Sequence, residues 1–279
     1  MASNDALRAV PSGGVLQGYG NLAAKETGGW WKTRRWLMNV LIWGAIVNGL
    51  LAMVLWVAPQ SGAEAPVPHR ELAQTAVELF LVMGALAPAV GVVIMGQDAI
   101  IDEKKSGTAA WILSKPISRS AFVLAKFFSH ALGVLVTMVL IQGALAYAQI
   151  AAKTGQPPAL LAWLGALALI FLFLLFFLAL TLMLGAFFNA RGPVIGIPLA
   201  LLFGYQLFLG VLPQLGDVLP YVLTISLGPT RTALALQLLA GKPLNNPVPI
   251  ALTVGWIVLF LGVAIWRLSH GMSRAPQHT

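Results

Sequence analysis

The sequence predicts an all-α polytopic membrane protein with six transmembrane helices. An N-terminal interfacial elbow helix precedes them, and short re-entrant or interfacial helices precede the last span. Three observations carry this expectation. The 279-residue chain is 58% hydrophobic, with a mean hydropathy of +0.84. Only 9% of its residues are charged, against about 25% in soluble domains, so it lacks the polar surface to cover a soluble fold. Its apolar runs are continuous rather than alternating and long enough for the roughly 20 residues of a helical span. A barrel is thereby excluded, and in lipid the helix is the structure that satisfies its own backbone.

Residues 1–20 are rich in Gly, Pro and Ser and lack periodicity, and they are expected to form a mobile cytoplasmic tail. Residues 21–36, "NLAAKETGGWWKTRRW", interleave Lys25, Lys32, Arg34 and Arg35 with Trp30, Trp31 and Trp36. Cations beside indoles suit the lipid headgroup layer, whether as an elbow helix or as an ordinary juxtamembrane anchor. A single membrane domain follows over 37–267, with spans at 37–58, 72–96, 121–149, 159–188, 194–213 and 249–267. Within 214–248, Asp217, Pro220, Pro229 and Arg231 cut the apolar sequence into pieces too short to cross, hence re-entrant or interfacial helices on the outer side. Residues 268–279 form a second cytoplasmic tail.

With six spans and both termini cytoplasmic, 13 of the 17 Lys and Arg fall inside and four outside. Inner loops retain cations, so this split sets the orientation and places the chain in an inner or plasma membrane. It also accounts for most of the +8 net charge without nucleic acid. The absence of cysteine excludes disulfides, zinc thiolates and a cysteine nucleophile. HExxH is absent, as is a G-x-x-x-x-G-K-[ST] loop, so the chain is expected neither to catalyse a reaction nor to bind ATP itself.

The densest polar segment lies between the second and third spans. "IDEKKSGTAAWILSKPISRSAFVLAK" (101–126) carries seven charges. Span two is expected to continue as helix through Asp98, Asp102 and Glu103 and to stop at Gly107. Thr108 then caps a short helix bearing Trp111 and Ile112, Pro116 breaks it, and Ser118 or Ser120 opens the next span. Such a loop suits docking to a soluble partner, although a plain inner loop obeying the positive-inside rule has the same charges. Inside the spans, Glu78, Asn48, Gln142 and Gln206 are pathway candidates, since polar groups there face protein or a cavity. Pairing with Arg70 or reaching water is the competing reading for Glu78. Interhelical hydrogen bonding is the competing reading for the three amides.

The segment from Asp98 through Glu103, Gly107–Thr108, Leu113–Ser114, Pro116–Arg119 and Lys126 resembles the ABC-2 family of transporter permeases. "AKETGGWWKTRRW" is similar to that family's N-terminal Lys-Glu segment and basic-aromatic elbow. The resemblance implies that 97–120 is a coupling loop seated on an ATP-binding subunit, with the "NARGP" turn (189–193) as a smaller second contact. The coupling residues are then Asp98, Asp102, Glu103, Lys104, Lys105, Gly107, Thr108, Trp111, Ile112, Pro116, Arg119 and Arg191. Of these, Glu103, Lys104, Lys105 and Arg119 serve as polar docking groups, and Trp111 and Ile112 as apolar anchors. It further implies ATP and Mg on the partner, no cofactor on this chain, and a second permease chain, identical or paralogous. Export of an amphiphile follows as the expected activity. An ATP-independent channel or scaffold, or an intramembrane enzyme, would explain the spans but not the turn chemistry of 98–126.

Overall fold

A computed structural model describes residues 14–60, 68–106, 117–211, 234–242 and 248–271. Among these residues every regular element is helical. We number them α1 (Tyr19–Trp31), α2 (Arg35–Val57), α3 (His69–Lys105), α4 (Arg119–Thr154), α5 (Leu160–Phe187), α6 (Arg191–Val211), α7 (Leu234–Leu239) and α8 (Val248–Gly271). Five of them, α2, α3, α4, α5 and α8, are long and apolar enough to cross a membrane. The fully described apolar part of α6, Arg191–Gly204, is shorter, so by length five of the six expected spans are matched. The helix α7 lies within the segment expected to be re-entrant and has six residues, too few to cross.

Local chemistry explains the helix ends. Glu71 lies in the first turn of α3, while Lys104 and Lys105 lie in its last, each complementing the helix dipole. Ser118 caps α4, its Oγ accepting from the Ala121 N–H at 3.0 Å. Gly155 ends α4 in the left-handed region at φ 66°, where its own N–H still reaches the Ala151 carbonyl. As expected, the helix of span two continues past the apolar run into the acidic residues. Residues 14–18 do not form a free tail. The Val15 carbonyl accepts from the hydroxyls of Ser118 and Ser120, and the Ser118 N–H donates to the Gln17 carbonyl at 3.1 Å.

The helix α5 is the centre of the bundle: 72% of its most apolar stretch is buried, against 28% for α2 and for α8. Its mean composition is apolar all round, as an enclosed helix requires. Phe173 and Phe177, in an apolar run that would equally suit lipid contact, are fully buried. The helix α1 lies against α4 and departs from a purely interfacial elbow. Trp30 is 2% exposed, packed edge-on to His130 at 5.9 Å and over Gly133, where a Cβ would come within 2.5 Å of the indole. Indoles at an interface keep one edge wet, whereas this one fills a slot in protein.

A second indole slot joins α2 to α3. Trp43 lies over Gly91 so closely that a Cβ there would clash with Cζ2, and Trp43 Nε1 donates to Asn39 Oδ1 at 3.2 Å. The ring is enclosed and cannot yield without moving a helix. Gly91→Ala should therefore destabilise the detergent-solubilised protein by about 1–3 kcal/mol, the usual cost of overpacking. Thermal denaturation followed by tryptophan fluorescence checks it; an unchanged melting temperature would mean that the α2–α3 contact is loose.

Candidate functional site

The C-terminal end of α3 is held from two sides. On one side Glu103 faces α1 and α4. Its Oε1 accepts from Lys25 Nζ at 3.0 Å, and its Oε2 lies 3.1 Å from Lys126 Nζ. Lys126 also donates to Glu26 Oε1 at 2.9 Å. The Lys126 side chain is 3% exposed and the two carboxylates 15% each. A cation so enclosed is stable only if paired, and here two carboxylates from different helices share it. The hydroxyls of Thr27 and Ser129, 3.0 Å apart, add a neutral contact beside it.

On the other side the stem of α3 meets the α5–α6 turn. Lys104 Nζ donates to the carbonyls of Gly185, Ala186 and Phe188 at 3.3, 3.3 and 3.0 Å. These belong to the end of α5, whose last carbonyls have no intrahelical partner, so the ammonium acts as their cap. Arg191, at the start of α6, reaches back: its Nη2 donates to Asp102 Oδ1 at 2.8 Å and lies 3.1 Å from Asp98 Oδ1. Asp98 and Asp102 are four residues apart and present one helical face to that guanidinium.

Five of the sequence-predicted coupling residues thus meet in one place. Asp98, Asp102 and Arg191 pair with one another, while Glu103 and Lys104 are engaged with α1, α4 and the end of α5. Lys105 and Arg119 are exposed and carry no ion pair among the described residues. Gly107, Thr108, Trp111, Ile112 and Pro116 lie outside the described residues. The sequence reading did not single out Glu26 or Lys126 as a joint, taking Lys126 only as the head of span three. The available signal was a lone lysine one to two turns inside an apolar helix, which demands an anionic partner.

The pathway candidates separate. Asn48 and Gln142 form a closed interhelical network. Asn48 Nδ2 donates to Gln142 Oε1 at 2.8 Å, and Gln149 Nε2 to Asn48 Oδ1 at 2.9 Å. Gln142 Nε2 donates to the carbonyls of Val40 and Thr137, at 3.1 and 3.0 Å. The flanking turns, Gly44–Asn48 on α2 and Leu135–Leu140 on α4, are π-helical. This is the cross-helix bonding weighed against a pathway role, and it leaves the two amides engaged with each other. The Gln206 side chain lies outside the described set. Glu78 sits alone at the far end of α3, exposed, with no ion pair to Arg70.

Burial ranks the lysines of the joint. Lys25, 53% exposed, resembles a surface pair, so Lys25→Ala should cost about 0–1 kcal/mol. Lys126→Met leaves Glu26 and Glu103 with only the half-exposed Lys25 beside them and should cost more, up to about 3–5 kcal/mol, because the buried cation between the two carboxylates is lost. Melting temperatures of the two variants in lipid nanodiscs check this; equal shifts would contradict the joint.

No curated protein matched the chain significantly. The family described as ABC-2 family transporter protein matches residues 21–270, from the start of α1's charged segment to the end of α8. That match takes in both sides of the joint and all five long apolar helices, so the chain belongs to the ABC-2 transporter family, as an integral, multi-pass membrane permease subunit of an ABC transporter.

Proposed function

We propose that this chain forms half of a translocation pathway and receives the ATP cycle of a separate ATP-binding subunit at the segment between α3 and α4. ATP and Mg belong to that partner, and a second permease chain completes the pathway. The carrying observation is the two-sided hold on the α3 stem. The two expected partner contacts, the 97–120 loop and the 189–193 turn, are bound to each other through Arg191, Asp98 and Asp102, while Lys104 holds the end of α5 just before that turn. A push on either reaches both. Glu103 passes it to α4 through Lys126 and to α1 through Lys25.

In this mechanism Glu103, Lys104 and Arg191 position the loop, and Lys105 and Arg119 meet the partner. The chemistry requires such a division. A side chain already bonded within its own chain must lose those bonds to dock, while an exposed cation loses only water and gains an acidic partner. ATP-driven closure of two ATPase subunits would bring two coupling segments together and tilt the attached helices as units, between inward- and outward-open states. Both termini then lie on the cytoplasmic side with the joint, and an amphiphile moves outward.

The double variant Lys105→Glu, Arg119→Glu should lower co-purification of the ATPase about tenfold, equivalent to about 1.4 kcal/mol, without lowering the permease melting temperature. Glu103→Gln should lower both the melting temperature and ATP-dependent transport in reconstituted vesicles. Full ATPase recovery and full transport by the Lys105/Arg119 variant would overturn the docking assignment.

A further inference from the structure

At the end of the bundle away from the joint, a cavity of about 540 Å³ opens between the start of α3, the turn after α4 and α7. Arg70, Val77 and Glu78 line it from α3, Gln156 from the turn, and Leu236 and Leu239 from α7. The lining is about equally polar and apolar and the space is open to one side, and its volume lies in the range of small-molecule sites.

The charges choose the ligand. Arg70 lies one residue after the start of α3, where its long stem carries the guanidinium to water at little cost. Glu78 lies eight residues further along, about 12 Å down the axis. Its shorter side chain opens into the cavity and makes no ion pair or hydrogen bond among the described residues. Glu78 is exposed to this space and unpaired, and a carboxylate within a span faces a cavity or a partner, so the charge the space offers is negative and suits a cation. Val77, Leu236 and Leu239 offer apolar surface beside it.

We propose that this cavity binds an amphiphilic cation, its charge at Glu78 and its apolar body between α3 and α7. Gln74 and Gln156, which also line the space, supply hydrogen-bonding groups. This deepens the permease reading by naming a substrate class. The site needs nothing from the ATP-binding subunit, so failure of the binding test leaves the coupling assignment standing, and the reverse holds too.

The test uses the full chain in phosphatidylcholine nanodiscs, with empty nanodiscs as background. Tetraphenylphosphonium and its isosteric anion, tetraphenylborate, serve as probes that differ in charge sign. Saturable binding of the cation but not the anion is expected. Glu78→Gln should weaken it about tenfold or more, Glu78→Asp should retain it, and Arg70→Gln should leave it equal or tighter. Ala240→Trp, which fills the lining and keeps Glu78, should also abolish it, so the result stands even if Glu78→Gln fails to fold. Absence of saturable cation binding, equal binding of the anion, or unaltered binding by both Glu78→Gln and Ala240→Trp would overturn the proposal.

Discussion

Lys126 is the constraint around which this end of the bundle is arranged. Its side chain is 3% exposed on a helix that otherwise runs apolar, so its charge must be met by protein. Glu26 and Glu103 meet it from α1 and α3, and so one ammonium sets the relation of three helices. Because Glu103 also holds the stem of α3, the position of the polar segment follows from the same pairing. Lys104 and Arg191 then extend the hold to α5 and α6 without another deeply buried charge. In a bilayer, where apolar side chains gain nothing by choosing protein over lipid, such directional contacts decide which helices lie together.

The apolar part of the molecule obeys a second rule, close approach. Trp30 and Trp43 are seated over Gly133 and Gly91, and the Trp163 indole donates to the Gly143 carbonyl at 3.2 Å. Large rings against bare backbone give dense dispersion contact without a hydrophobic driving force. The Asn48–Gln142–Gln149 network adds direction between α2 and α4. Its amides lie beside widened π-helical turns, and Gln142 takes up the Thr137 carbonyl of one of them. The two ends of the bundle are chemically distinct. One is crowded with paired charges, and the other keeps a carboxylate facing open volume.

Hydropathy alone marked the long helices because the bilayer requires each backbone to satisfy itself locally, which is a property of consecutive residues. The same locality made the continuation of α3 into its acidic end and the Ser118 cap readable from residue type. The order of features over 98–126 sufficed to suggest the ABC-2 family, and the family match over residues 21–270 bears that out. Where the reading departed from the fold, a distant partner was responsible. The enclosure of the α5 phenylalanines could not be read from sequence because an enclosed helix and a lipid-exposed helix have the same composition. Trp30 read as interfacial because its slot over Gly133 lies a hundred residues away.

The charged residues of the joint show the division most clearly. Their types and approximate depths were determined by sequence: acidic residues leaving span two, basic residues entering span three, a Lys-Glu pair before span one. Which of them would be bonded within the chain and which would face outward was decided only by tertiary structure. The Glu26–Lys126 bond spans 100 residues and the Lys25–Glu103 bond 78, and no periodicity of a single helix encodes a partner at that distance. Packing of α1 against α4 brings the carboxylates to the buried ammonium, and desolvation then makes the pairing obligatory.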